Sequence, residues 1–230
     1  MTKHFKLQVD LLSDTTFGRG DGVTGLVDTE IEYETQTGLP FIRGRVLKGL
    51  LVEECANLLF ALETQGGGNN SVFTQAAEWL FGKPGSTQDA PGHLRVGPAR
   101  LPEAFRRAVE NEVLTHKLLA ADVLQSLTAI RRQTAMNDES GAPQEKSLRS
   151  SRVALRGLTF IADLHVDDDI DAPALALLGA CAQALRRGGV GRNRGRGELH
   201  GTLWGCSPDG DLTAELSASF KDLVLEGRNA

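Results

Sequence analysis

Between Asp171 and Trp204 the chain reads DAPALALLGACAQALRRGGVGRNRGRGELHGTLW, and three consecutive elements follow from it. Pro173 to Arg187 is an apolar helical run. Asp171 stands where a cap is wanted, Pro173 falls in the first turn, and Gly188 follows the end. Gly188 to Gly197 then carries five glycines in ten positions, interleaved with Arg192, Arg194 and Arg196. Glu198 to Trp204 alternates, with Leu199, Gly201 and Leu203 against Glu198, His200, Thr202 and Trp204, as a strand does.

Working outward, the same order recurs. Phe5 to Leu12 alternates as a strand, and residues 13 to 40 form a Gly- and Thr-rich loop with a hairpin-like stretch ending at Thr37-Gly38-Leu39-Pro40. Val46 to Leu62 has helical spacing (Val46, Leu47, Leu50, Leu51, Cys55, Leu58, Leu59, Leu62). Gly66 to Asn70 breaks it, a short helix around Phe73 to Phe81 follows, and a Gly/Pro/Ser loop to Gly92 reads as surface insertion. Leu94 to Val96 is a short strand and Pro102 to Val113 an amphipathic helix. Residues 115 to 150 are polar without clear periodicity, with a loop tip at 136–141. Leu158 to Val166 is a strand, and Leu212 to Leu223 fits helix or strand equally. Strand–helix–strand twice over predicts one α+β domain over residues 1–230. Its core is ferredoxin-like (RRM-like), βαββαβ, with insertions at about 64–92 and 115–156.

A chain of 230 residues suffices for one sizeable core. Cys55, Cys181 and Cys206 show no paired spacing and read as buried thiols of a reducing compartment. With no signal segment and no long apolar run, the expected location is cytoplasmic, away from membrane. His4, His93, His116, His165 and His200 form no metal spacing with the cysteines. Asp167-Asp168-Asp169 precedes a helix and reads as a solvated capping turn.

The formal net charge is −5, yet the charge is segregated. Arg186, Arg187, Arg192, Arg194 and Arg196 lie together with no acid among them, as do Arg43, Arg45 and Lys48. Acids gather instead in Asp163 to Asp171 and around Glu30 to Glu34. In the Gly/Arg loop, exposed N–H groups can form an anion-binding concavity while guanidiniums take phosphate bidentately. The loop follows a helix and precedes a strand, the reverse of a dinucleotide fingerprint. Arg45 and Lys48 stand at a helix start, where the macrodipole favours anions, so a bound anion would suit them.

The pairing of Thr37-Gly38-Leu39-Pro40-Phe41-Ile42 and Leu47-Lys48-Gly49 with the Gly/Arg loop resembles the RAMP superfamily of CRISPR-associated proteins. Within it the chain resembles the repeated backbone subunit of type III effector complexes. Leu148 to Val153 with Gly157-Leu158-Thr159-Phe160 resembles a third block. The chain departs from the pattern at Arg43, where Pro is frequent, at Arg45, where Ser is, and at Gly97-Pro98, which replaces an acidic residue. The resemblance implies a subunit that polymerises along a guide RNA, with complementary target RNA, further RAMP subunits and large and small effector subunits as partners. It also implies a thumb-like β-hairpin, placed at roughly Leu124 to Arg156, with Arg131, Arg132, Arg149 and Arg152 on phosphates. The implied RNA-binding set adds Arg43, Arg45, Lys48, Gly189, Gly191, Arg192, Arg194 and Arg196.

Cutting members carry an aspartate ten residues before the motif glycine, and Asp28 stands ten before Gly38. Asp28 is therefore the implied catalytic and metal-binding residue, with Mg2+ or Mn2+ as cofactor and attack of a ribose 2′-hydroxyl as the chemistry. Asp21 and Glu30 are neighbours that could assist. Two alternatives stand beside this one: a non-catalytic subunit that caps or spaces the guide, and a guide-processing endonuclease of the same superfamily.

Overall fold

The computed structural model describes the chain apart from residues 1, 25, 67–69, 84–90, 136–140, 143, 145–146, 168, 207–208 and 230. Most of the expected loop tip at 136–141, the middle aspartate of the 167–169 run and residues 84–90 thus lie outside the described residues. Strand β1 (Thr2–Leu11) is the centre of an antiparallel sheet. It pairs on one side with β7 (Thr159–Asp167) and on the other with β8 (Leu199–Cys206), Leu7 opposing both Ala162 and Leu203. Beyond β7 come β3 (Leu94–Val96), β4 (Ala99–Arg100) and β2 (Phe41–Ile42), and beyond β8 comes β9 (Asp209–Asp211).

Alternation in β1 turns Phe5, Leu7, Val9 and Leu11 to one face, which is buried, and Lys6 to the other, which is exposed. Three helices cover the buried face, α1 (Gly44–Thr64), α5 (Ala172–Ala184) and α6 (Thr213–Asn229), and α2 (Asn70–Phe81) packs against α1 and α5. Helix α5 is apolar almost all round because it is enclosed by the other helices and the sheet, with Leu177, Leu178 and Cys181 fully buried. Asp171 caps it, its Oδ1 accepting from the Ala174 N–H at 2.8 Å.

Three expectations change. The tail is helix α6, held by Leu216 in the core and by Phe220 against Phe73 at 4.6 Å between centroids. Residues 70–81 form the short helix expected around Phe73 to Phe81 with an earlier start, and Phe73, Ala76 and Leu80 bury it in the core. Cys55 and Cys181 are buried as expected, but Cys206 is exposed at the end of β8, where its alternation points away from the helices.

A second, two-stranded sheet stands apart: β5 (Thr128–Gln133) and β6 (Arg149–Ala154), led into by α4 (Ala120–Leu127) after α3 (Glu103–Leu114). The aperiodic polar stretch is therefore a short helix and a half-exposed hairpin, too brief and too wet to show a period. Among the described residues, 13–33 contain no regular strand. They cross the hairpin's base through isolated bridges, Thr15 to Ala154 antiparallel and Thr29 to Ser151 parallel.

One ion pair locks this arm to the hairpin. Arg152 Nε donates to Glu30 Oε1 at 2.8 Å, and Glu30 is 1% exposed. The guanidinium also donates to Thr128 Oγ1 at 3.2 Å, and the Ile31 N–H donates to the same carboxylate at 2.9 Å. Removing one member strands a buried charge, so Arg152→Ala is expected to cost about 3–5 kcal/mol in thermal or urea unfolding. Asp171→Ala, which removes only a cap, should cost about 1 kcal/mol, lowering Tm by roughly 2–4 °C.

Candidate nucleic-acid interface

Directly opposed residues of a hairpin share a face, and the register separates its arginines into two sets. Arg132 opposes Ser150 and Ile130 opposes Arg152, while Gln133 opposes Arg149 and Arg131 opposes Ser151. The first face meets the arm that carries Asp28. The second meets the Gly/Arg loop.

On the first face, Ser150 holds Asp28 from both sides. The Ser150 N–H and Oγ–H donate to Asp28 Oδ2 at 2.6 and 3.0 Å, and the Asp28 N–H reaches Ser150 O at 3.0 Å. The Ser150 N–H, then its hydroxyl, and then the nearby Arg149 guanidinium hold the Asp28 carboxyl below the ordinary carboxylate range. Asp28 is thus an exposed, oriented anion at neutral pH, with one oxygen anchored. It lines a cleft of about 700 Å³ with Gly22, Val23, Leu26, Arg132, Leu148 and Ser150. Its sequence neighbours do not join it: Glu30 is buried on Arg152, and the Asp21 carboxylate pairs with Arg19.

On the second face, Arg149 and Gln133 share a polar cavity of about 380 Å³ with Arg194 of the Gly/Arg loop. That loop folds back on its own base. Gly188 N–H donates to Gly197 O at 2.9 Å, and Val190 N–H to Thr16 O at 2.8 Å. Gly189 has φ +80°, and a Cβ there would lie 2.6 Å from Thr16 O, so this glycine serves the close approach of loop to arm. Gly191, φ +77°, has open space around it and leaves the backbone accessible. Arg186, Arg187, Arg192 and Arg196 line a further cavity of about 350 Å³.

The expectation that the arginines lack countercharges is corrected. Arg192 donates bidentately to Glu53 of α1 at 2.7 and 2.6 Å, Arg131 sends two donors to Asp14 Oδ2 alone at 2.9 and 2.6 Å, and Arg43 pairs with Glu32. These acids are remote in sequence or on another element, so segregation along the chain does not survive folding. Lys48 lies past the first turn of α1, and its ammonium donates to Leu94 O at 2.9 Å, partly buried, which lowers its pKa. It ties α1 to β3 instead of marking the helix start. Arg152 is committed to Glu30. Arg45, Arg132, Arg149, Arg194, Arg186, Arg187 and Arg196 carry no ion pair among the described residues.

Ser150, Thr16 and Glu53 were not singled out from the sequence. Ser150 sits in a block chosen for its arginines, and nothing in one strand's sequence announces that its serine will clamp a carboxylate 122 residues away. Among the described residues, no three His, Cys, Asp or Glu side chains gather as a metal group, and no helix is long and apolar enough to cross a membrane.

No curated protein matches this sequence. The fold is similar to that of a chain in the cryo-EM structure of the type III-B Cmr-β complex bound to cognate target RNA. There the TM-score is 0.56 and identity 12%, with 87% of this chain and 58% of that one covered. A chain of the type III-B Cmr-β complex in its apo state is also similar, with TM-score 0.61, identity 11%, and 87% and 97% covered. This chain therefore spans under two thirds of the first of these relatives. The family model described as the RAMP superfamily matches residues 8–200, and the chain belongs to that superfamily.

Proposed function

We propose that this chain is an RNA-binding backbone subunit of a type III CRISPR effector complex that also cuts bound target RNA through Asp28. The observation that carries the binding half is the meeting of Arg149 and Arg194 in one polar cavity. They come from the two segments marked for phosphate contact, and neither has an ion-pair partner among the described residues. Phosphate contacts position a strand without reading its sequence, which suits a subunit that must accept any guide. Guide RNA, complementary target RNA, further RAMP subunits and large and small effector subunits are the partners this reading requires. The strand order β4–β7–β1–β8, with α1 and α5 as the crossovers, supports the ferredoxin-like core, and β5–β6 supplies the thumb-like hairpin.

For the cutting half, Asp28 offers one exposed carboxylate, and among the described residues no group of three His, Cys, Asp or Glu side chains includes it. Mg2+ sites are commonly completed by substrate phosphate and water around one or two carboxylates, so the residues fit that ion, or Mn2+, bound together with target RNA. Asp28 would hold it through the oxygen that Ser150 leaves free, and when bound the ion neutralises charge on the phosphoryl oxygens. Ser150 keeps the carboxylate ionised and aimed. The cleft walls, Val23, Leu26 and Leu148, give the target strand an apolar flank.

Two measurements test the halves separately. Arg149→Ala with Arg194→Ala should weaken RNA binding and flatten its dependence on log salt by about 1.4, two contacts at roughly 0.7 each for a single strand; an unchanged slope removes both residues from the interface. Asp28→Ala, in complex purified with its guide, should abolish metal-dependent target cleavage while leaving guide of uniform length bound. Undiminished cleavage would instead establish the non-catalytic, guide-spacing subunit.

A further inference from the structure

Asp28 is not the only group committed to its cleft. Arg132 stands directly across the hairpin from Ser150, the residue that clamps Asp28, and cross-strand partners lie about 4.5–5.5 Å apart at Cβ. Its exposed guanidinium lines the same 700 Å³ cleft and makes no ion pair among the described residues. The other arginines of the hairpin are placed differently. Arg131 is held by Asp14, Arg152 is paired with the buried Glu30, and Arg149 opens into the cavity shared with Arg194. Only Arg132 of the four joins Asp28 in lining one cleft.

Resting on the cleavage assigned to Asp28, we propose that Arg132 is a second catalytic residue, the cation that stabilises the scissile phosphate as its charge rises. In the reaction the ribose 2′-oxygen bonds to the adjacent phosphorus and its proton passes to solvent. The bond from phosphorus to the 5′-oxygen breaks, and that oxygen takes a proton from water. The products are a 2′,3′-cyclic phosphate and a 5′-hydroxyl, with no change in oxidation state. Negative charge on the two non-bridging oxygens is greatest in the five-coordinate arrangement between. A planar guanidinium offering paired N–H donors suits those two oxygens, and it counts for more there than in the ground state. The carboxylate and the guanidinium line one cleft because Ser150 and Arg132 are paired in one register. The hairpin thus sets its own guanidinium beside the carboxylate of the arm it clamps.

The test is single-turnover cleavage of target RNA in complex purified through a tagged copy of the chain, comparing wild type with Arg132→Gln, Arg132→Lys and Asp28→Ala. Arg132→Gln keeps side-chain length at an exposed site and should leave guide content and target affinity unchanged. Its cleavage rate at saturating target should fall on the order of 100-fold, the usual loss when a donor to a developing oxyanion is removed. Arg132→Lys should recover part of that rate, because charge returns without the paired donors. An unchanged rate in Arg132→Gln overturns the proposal, as does weaker target binding with an unchanged saturating rate, which would make Arg132 a simple backbone contact. If Asp28→Ala also cleaves at the wild-type rate, the fault lies in the underlying reading. If only Asp28→Ala is inactive, Arg132 alone is misassigned.

Discussion

The placement of the candidate cleavage site depends on one buried ion pair, Glu30 with Arg152. The arm that carries Asp28 has no regular strand among its described residues, and is held to the hairpin by bridges that any irregular segment could lose. A buried carboxylate demands its cation, and this cation is on β6. The penalty for separating them fixes the arm against the strand, and Ser150, two residues earlier on β6, is thereby delivered to Asp28. A hydrophobic contact of similar area would hold the arm but would not specify its alignment so sharply.

The same accounting of charge divides the arginines by task. Those that meet carboxylates within the fold, Arg43, Arg131, Arg152 and Arg192, shape the walls. Those without such partners among the described residues, at Arg149, Arg194 and around Arg186 and Arg187, leave a positive field on a chain whose formal charge is −5. Field at a phosphate is set by charges within about 8–10 Å at physiological ionic strength, so the acidic total hardly reaches these cavities.

Much of this arrangement was legible beforehand. Period-two alternation located β1, β7 and β8 because each has one buried face, and Asp171, Pro173 and Gly188 bracketed α5 because capping is local chemistry. The Gly/Arg loop was legible from its glycines as the tight connection between α5 and β8. What could not be read were pairings across the fold. Glu53 is unremarkable in α1 until Arg192 arrives beside it, and Lys48 looks like a helix-start cation until its stem is buried toward Leu94. Cys206 was mistaken for a buried thiol because its apolar character was weighed above its parity, which places it on the His200 side of β8. The α2 segment was legible as a short helix, but not the depth to which Phe73 and Leu80 draw it into the core.

The register of β5 against β6 has a consequence for how such a protein can vary. Strand residues alternate in direction, so inserting a single residue between Ser150 and Arg152 would turn one of them away from the arm and break either the clamp or the lock. Between Gln133 and Arg149 no such parity rule applies to Asp28, since both anchors lie at the hairpin's base. Apart from Leu148, which walls the cleft, the distal part of the hairpin is therefore free to lengthen, shorten or change composition to suit a different neighbour or duplex geometry, while the paired strands keep time with the carboxylate. Divergence at one end and strict parity at the other is the pattern this construction imposes on its descendants.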